Sequence, residues 1–335
     1  MANDKETFDI LDMMRDRLPA IKTKPSEITL VDWADLWLEC YCMQIKDSTK
    51  ASYKSAVDNH IKRVFRERKL KAITPDLVQL FVISLAEGVC LEQPLSPKTI
   101  KNIHGVLHKC LQKACELKYI TENPASNTEL PKPPHLDIMP MNTEQLEQFL
   151  GAIKGHPYEI VYKLAVFTGM RQSELIGLTW DCFNFENGTI HLYRQLSLDS
   201  KTREFYFAPL KNNKSRTLFP ARAVMDMMQR QRQNAVNEFV FPGKKHQHLT
   251  HAAIRNAFKG IVEKLGYPHF RFHDLRHTYA VISLQANVDI KTLSYSMGHY
   301  SVAFTLDVYG FCLDEMKREG AEKMQRFIDK QYNNL

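Results

Sequence analysis

Apolar residues recur along most of this chain at the spacing of helices. Trp33, Leu36, Trp37, Cys40 and Tyr41 mark one face of a helix beginning near Leu30. A second helix is expected over Ser48–Val64, with Tyr53, Val57 and Ile61 turned inward. Thr74-Pro75 and Ser96-Pro97 each place a hydroxyl cap before a proline at the first helical position, where its missing N–H would be unpaired anyway. The helix after Ser96 is long, with Ile100, Ile103, Leu107, Leu111 and Ala114 in register. A compact bundle of about four helices is therefore predicted over 30–130, behind a polar tail at 1–29.

Pro131, Pro133, Pro134 and Pro140 interrupt that pattern. Proline lacks the N–H and crowds the preceding turn, so 131–140 is expected to be a stiff linker. From 141 to 335 helical spacing resumes, first with Leu146, Phe149, Leu150 and Ile153, then with Ile160, Tyr162, Leu164 and Phe167. A strand region follows. Asn187-Gly188 suits a hairpin turn, Thr189–Tyr193 alternates, and Glu204–Phe207 is rich in β-formers. Lys211–Arg216 is polar and turn-like, Thr217–Pro220 ends the strand region, and the remainder is mostly helical. The fold class is mainly α with a small antiparallel β-sheet (α+β), in two domains.

The chain has 335 residues, 44% of them hydrophobic and 25% charged, with a net charge of +7. That excess favours a polyanionic partner. It is concentrated at Lys62, Arg63, Arg66, Arg68, Lys69 and Lys71, which form either a solvated face or a nucleic-acid contact. The seven cysteines are scattered and include no CxxC pair, which points to neither a zinc site nor a disulfide framework. Several sit at apolar helical positions and read as small buried hydrophobes, which fits a reducing cytoplasm. No signal-peptide core is present, and no apolar run approaches the roughly 20 residues of a membrane span, so a cytoplasmic protein without a membrane partner is expected.

The candidate chemistry lies near the C-terminus, in His273-Asp274-Leu275-Arg276-His277, Met297-Gly298-His299 and Tyr309. Metal-free phosphoryl transfer needs a nucleophile, cations on the non-bridging oxygens and an acid for the leaving oxygen. Arg171 follows Phe167-Thr168-Gly169-Met170, where the glycine places it at a helix start that favours anions, and Glu174 is one turn on to orient it. In isolation Arg171 reads more readily as a surface arginine and Glu174 as a first-turn acid. His60, His104, His191 and His269 read as surface or satisfied core residues. On chemistry alone Tyr295, Tyr300 and Tyr309 compete as the nucleophile.

Phe-Thr-Gly-Met-Arg171-Gln-Ser-Glu174-Leu-Ile-Gly-Leu-Thr-Trp180-Asp181 resembles the first motif of tyrosine recombinases. Lys211-Asn-Asn-Lys-Ser-Arg-Thr-Leu-Phe-Pro220 resembles their β-hairpin lysine segment. His273-Asp-Leu-Arg276-His277-Thr, Met-Gly-His299 and Thr305-Leu-Asp-Val-Tyr309-Gly resemble their second motif, all in the family's order. The likeness is greatest to integrases of phages and conjugative transposons. Met297 replaces the usual leucine, and Gly310-Phe311 replaces the common Tyr-x-His ending.

This resemblance implies an N-terminal core-binding domain and a catalytic domain that together clamp a DNA duplex. It implies a site-specific recombinase that integrates and excises a mobile element or prophage, without metal, ATP or other cofactor. Tyr309 would form a 3′-phosphotyrosine, Arg171 and Arg276 would clamp the phosphate, and Lys211 would protonate the leaving 5′-oxygen. His273 would take the tyrosine proton or hydrogen-bond the phosphate, with His299 assisting and Glu174 and His277 in support. DNA contacts are expected from Lys62, Arg63, Arg66, Lys98 and Lys101. The tail, with Leu313, Met316, Met324, Phe327 and Ile328 at helical spacing, would dock on a neighbouring copy in a homotetramer; accessory DNA-bending or excisionase proteins and a place at the bacterial nucleoid follow by the same likeness. Residues 1–29 are too short for the arm-binding domain that related integrases often carry. The rivals are a binding-only regulator, a type IB topoisomerase, and a metal phosphohydrolase built on His273-Asp274, for which further ligands are not evident.

Overall fold

A computed structural model describes residues 27–89, 93–132, 139–199, 202–243, 248–309 and 313–332. Most of the expected tail (1–26), Pro133 and Pro134 of the linker, Cys90, Gly310-Phe311, Cys312 and the side chains of Leu313 and Met316 lie outside the described part. The chain divides near residue 136 into two compact units, each with its own apolar core.

In the N-terminal unit, α1 (Leu30–Leu36) is capped by Thr29, whose hydroxyl accepts the Asp32 N–H. It runs into a wide π-type turn at Trp37–Tyr41. That turn breaks the even spacing assumed from the sequence: Trp33 and Trp37 are buried, whereas Tyr41 is 44% exposed. The helix expected over 48–64 is a rod of α2 (Asp47–Ala56), a second wide turn (Val57–Ile61) and α3 (Lys62–Phe65). Val57 and Ile61 are buried, and Tyr53 is half-buried, stacked on Trp37. α4 (Pro75–Glu87) and α5 (Pro97–Glu116) begin where the capping pattern places them, with the Thr74 and Ser96 hydroxyls accepting the Leu77 and Thr99 N–H groups. Trp33 donates its ring N–H to the Cys110 carbonyl at 3.0 Å, which joins α1 to α5 through the core.

His60 and His104 differ from the expectation. His104 is buried, and neither Nδ1 of His60 nor Nε2 of His104 has a hydrogen-bond partner among the described residues. Burial lowers both pKa values, and a neutral imidazole tolerates one unpaired nitrogen at roughly 1–3 kcal/mol.

The C-terminal unit starts with α6 (Thr143–Ala152), closed by a capping box between Asn142 and Gln145. α7 (Glu159–Thr168) ends at Gly169, in the left-handed region at φ +62°. A Cβ there would lie 2.3 Å from the Tyr279 ring, so both the turn and the close approach require glycine. Arg171 then caps α8 (Gln172–Ile176). β1 (Phe183–Asn184), β2 (Thr189–Leu192) and β5 (Arg216–Leu218) form one antiparallel sheet; β3 (Arg194–Leu198) and β4 (Phe205–Pro209) form a separate ribbon. The β1–β2 turn is the expected one, with Gly188 at φ +65° and the Asn187 N–H on the Asn184 side chain. α9 (Arg222–Arg232), α10 (His251–Lys264), α11 (Asp274–Gln285), α12 (Ile290–Met297), α13 (Val302–Tyr309) and α14 (Leu313–Tyr332) complete the unit. Phe149, Tyr162, Phe258 and Phe272 pack in tilted and edge-to-face pairs between α6, α7, α10 and the start of α11. Burying side chains of this size contributes about 1.5–3 kcal/mol each. Phe167, on the outer face of α7, is 40% exposed. Among the described residues, no helix is long and apolar enough to cross a membrane.

Candidate active site

The last turn of α12 organises the charged cluster. A helix leaves its final carbonyls without intrahelical partners, at the negative end of its dipole. Here three consecutive carbonyls each accept from a different arginine. Ser296 O takes Nε of Arg216 at 2.8 Å, Met297 O takes Nη2 of Arg276 at 2.5 Å, and Gly298 O takes Nη2 of Arg171 at 2.7 Å. Gly298 is left-handed, at φ +61°, and a Cβ would stand 3.0 Å from the Arg216 guanidinium. The Met-Gly-His stretch thus supplies carbonyls as well as an imidazole.

Arg276, in the first turn of α11, also donates Nη1 to Gly169 O at the end of α7. It spans two helix C-termini and is buried. Burial works most strongly against its charge, followed by the neighbouring Arg171, with Glu174 opposing them. Arginine nevertheless remains protonated in proteins, and charge-assisted bonds of about 1.5–3 kcal/mol each hold it.

Glu174 is the counter-charge. Its Oε2 accepts the Arg171 backbone N–H at 2.8 Å and its Oε1 accepts Nη1 of that side chain at 3.0 Å. Arg216 meets the same carboxylate with two parallel bonds of 2.9 and 2.7 Å. Burial alone would raise the Glu174 pKa, but the bonds and charge of Arg216, then the charge of Arg171, hold it at about 2. Arg216 is the residue that the sequence did not single out. It belonged to a stretch expected to be polar and turn-like, yet it begins β5 and is 4% exposed. The signal available was its alternation with Leu218, which places Arg216 and Leu218 on the inward face of the strand.

Tyr309, the last residue of α13, is 1% exposed. Its hydroxyl lies 2.7 Å from Nδ1 of His277. His299 sits parallel to the phenol, with centroids 6.5 Å apart, and its Nδ1 is 2.7 Å from the Thr305 hydroxyl. That contact orients the ring. His273 immediately precedes α11 and meets His277 edge to face at 5.0 Å. It also lines a cleft with Gln172, Arg255, Lys259 and Arg271. Burial first, then Arg276 and Arg171, pushes His299 down to about 3. Burial and His273 push His277 down to about 4, and burial and Arg276 lower His273. Tyr295 and Tyr300, the competing phenols, are 57% and 92% exposed.

Arg171, Glu174, Arg276, His277, His299 and Tyr309 thus come together from segments far apart in sequence, with His273 beside them. Lys211 lies in the exposed turn between β4 and β5. Its neighbour Asn212 reaches Gly298 O at 3.3 Å, which sets that turn against the cluster. The expected DNA contacts fall on two surfaces of the N-terminal unit. Lys98 and Lys101 line a groove with Ser52, Ser55, Asn102 and Lys109. Lys62 and Arg66 line another, near the exposed Arg63. Lys62 is already held by Asp35 at 2.7 Å and Asp58 at 2.8 Å, because the rod α2–α3 places Asp58 one turn before it. Among the described residues, no group of His, Cys, Asp and Glu is arranged to hold a metal ion.

Comparison with known proteins matches residues 140–312 to the phage integrase family and residues 29–86 to the phage integrase N-terminal SAM-like domain. A tyrosine recombinase XerC-like protein of Caldanaerobacter subterraneus subsp. tengcongensis is 25% identical, over 89% of this chain and 83% of that one. Among solved structures, the Tn1549 transposon integrase in complex with a circular intermediate DNA superposes with a TM-score of 0.76 at 21% identity, covering 87% of this chain and 99% of the other. A lambda integrase tetramer bound to a Holliday junction gives 0.63 at 18% identity, covering 90% and 83%.

Proposed function

The chain belongs to the phage integrase family and is a site-specific tyrosine recombinase, and we propose that Tyr309 is its nucleophile. The observation that carries this is the shared anchorage of Arg171 and Arg276 on α12, beside a buried tyrosine stacked on His299. A phosphodiester held by both guanidiniums has its negative charge balanced as the fifth oxygen adds. The Tyr309 oxygen bonds to phosphorus, the bond to the 5′-oxygen breaks, and Lys211 supplies the proton that oxygen needs. The 3′-phosphotyrosyl ester keeps the energy of the broken bond, so a 5′-hydroxyl from another strand reverses the step without ATP. His273, opening onto the cleft, and His299, through Nε2, hydrogen-bond the phosphate.

The substrate is duplex DNA at the ends of a mobile element or prophage, which the enzyme integrates and excises in the bacterial cytoplasm, at the nucleoid. Support comes from the circular intermediate DNA bound by the Tn1549 integrase and the Holliday junction held by the lambda tetramer. The 30–130 segment acts as the core-binding domain and 141–335 as the catalytic domain, with 131–140 as linker. Lys98, Lys101, Arg63 and Arg66 contact phosphates; Lys62 does so only by leaving its carboxylates. A homotetramer assembles on DNA, with α14 docked on the neighbouring copy. Exposed Met324, Phe327 and Tyr332 on that amphipathic helix support this. Excisionase or DNA-bending proteins act as accessories.

The decisive experiment uses duplexes spanning the element's joined ends, nicked beside the cleavage point so that the 5′-hydroxyl fragment escapes. In EDTA the protein is expected to accumulate a covalent DNA adduct on Tyr309, located by peptide mass mapping. Tyr309→Phe should bind the duplex and form none. An adduct on another residue, or cleavage only with added metal, would overturn the proposal.

A further inference from the structure

We propose that His277 is a catalytic residue, the group that takes the proton from Tyr309 as it attacks and returns it on religation. The inference rests on Tyr309 being the nucleophile. Its basis is geometric. His277 lies one helical turn after His273 on α11, and its Nδ1 stands 2.7 Å from the phenolic oxygen. The contact is enclosed: Tyr309 is 1% exposed and His277 is partly buried. No rearrangement of the helix is needed to bring a base to the nucleophile.

The protonation state fits the role. A neutral imidazole whose Nε2 carries the hydrogen presents a lone pair at Nδ1, and the phenol donates to it. The groups facing His277 are His273, Asp274, Arg276 and Arg271 from its own stretch, Tyr309 from α13, and His299 from the loop before it. Burial and His273 keep His277 neutral well below pH 7, so the base is in its accepting form throughout the physiological range. A resting base this weak does not ionise a phenol of pKa near 10 by itself. The arriving phosphodiester changes that balance, because its negative charge favours an imidazolium nearby.

The step then closes. The Oη–H proton moves to Nδ1 of His277, oxygen bonds to phosphorus, and the 5′-oxygen leaves with a proton from its own donor. On religation a 5′-hydroxyl attacks and gives its proton back to that same donor, the phosphotyrosyl bond breaks, and the imidazolium returns its proton to the phenolate. His273 is thereby released from proton transfer to serve the phosphate.

The test is single-turnover cleavage of the nicked duplex by the full chain, with DNA binding and thermal unfolding measured in parallel. His277→Ala should slow adduct formation on Tyr309 by about 100-fold or more. His277→Asn keeps an acceptor near the same position but cannot take a proton, so it should be slowed comparably while unfolding near the wild-type temperature. Replacing Tyr309 by a trifluorinated tyrosine, whose phenol ionises more readily, should restore much of the rate in both variants and little in His273→Ala. The wild-type rate should fall as pH drops toward the His277 pKa in the complex, and this limb should vanish in His277→Asn. An asparagine variant that cleaves within a few-fold of wild type would show that His277 only positions the phenol. Fluorotyrosine rescue confined to His273→Ala would assign the proton to that residue instead. If even the wild type forms no adduct on Tyr309, the nucleophile assignment fails, and that outcome is distinct from either of these.

Discussion

The two units carry positive charge in opposite ways. In the N-terminal unit Lys98, Lys101 and Arg63 are exposed, on the rims of helices whose inner faces are apolar. In the C-terminal unit Arg216 and Arg276 are 4% exposed, bound to carbonyls at helix ends and to one buried carboxylate. Exposed lysines stay hydrated, move freely and are screened by salt. Buried guanidiniums are already dehydrated and fixed, so they lose little on meeting a phosphate and act strongly in a low-dielectric site. The first arrangement suits holding a long polyanion in many registers. The second suits fixing charge at one point.

The sharpest test of that contrast removes a buried cation. Arg276→Ala should slow cleavage by about three orders of magnitude in single-turnover assays while leaving duplex affinity within a few-fold. Comparable losses of affinity and rate would erase the distinction. Next in size is Arg216→Met. It leaves the Glu174 carboxylate buried with one partner fewer, and breaking a buried pair costs roughly 3–5 kcal/mol. Calorimetry should show the C-terminal unit melting about 10 °C lower, with the N-terminal unit unmoved; adding Glu174→Gln should recover part of the loss. Since the Glu174 pKa is depressed to about 2, its contribution is fully present above about pH 4.5 and fades as pH falls toward 2. An unchanged melting temperature for Arg216→Met would mean that the pair adds nothing. The smallest effects belong to the exposed set. Lys98→Ala and Lys101→Ala should each weaken DNA binding several-fold at low salt and lower the slope of log affinity against log salt by about 1. Cleavage at saturating DNA should not change. A slope unaffected by either substitution would remove that groove from the DNA contact.

Much of this molecule is readable from its sequence because the relevant physics is local. Thr74-Pro75 and Ser96-Pro97 start their helices where the caps place them, and Asn187-Gly188 turns its hairpin, since these features depend on a few neighbouring dihedrals. Arg171, Glu174, His273, Arg276, His299 and Tyr309 were legible as candidates through the likeness of their stretches to tyrosine recombinase motifs. Other features were not legible. The π turns after Leu36 and Ala56 shift the buried face without a distinctive residue, so Tyr41 emerges into solvent. Arg216 looks like any turn arginine until β5 draws it under Gly298.

The sequence by itself determined the helical architecture and the two-part organisation, and its resemblance to tyrosine recombinases named the candidate site residues. Local capping and periodicity suffice for the first two; the candidates came from the likeness in motif and order. Only the tertiary structure decided that three arginines share the three carbonyls closing α12, that Arg216 pairs with Glu174, and that the Tyr309 hydroxyl meets His277. Those outcomes depend on where distant helix ends converge, and on which partner a buried charge finds once water is excluded.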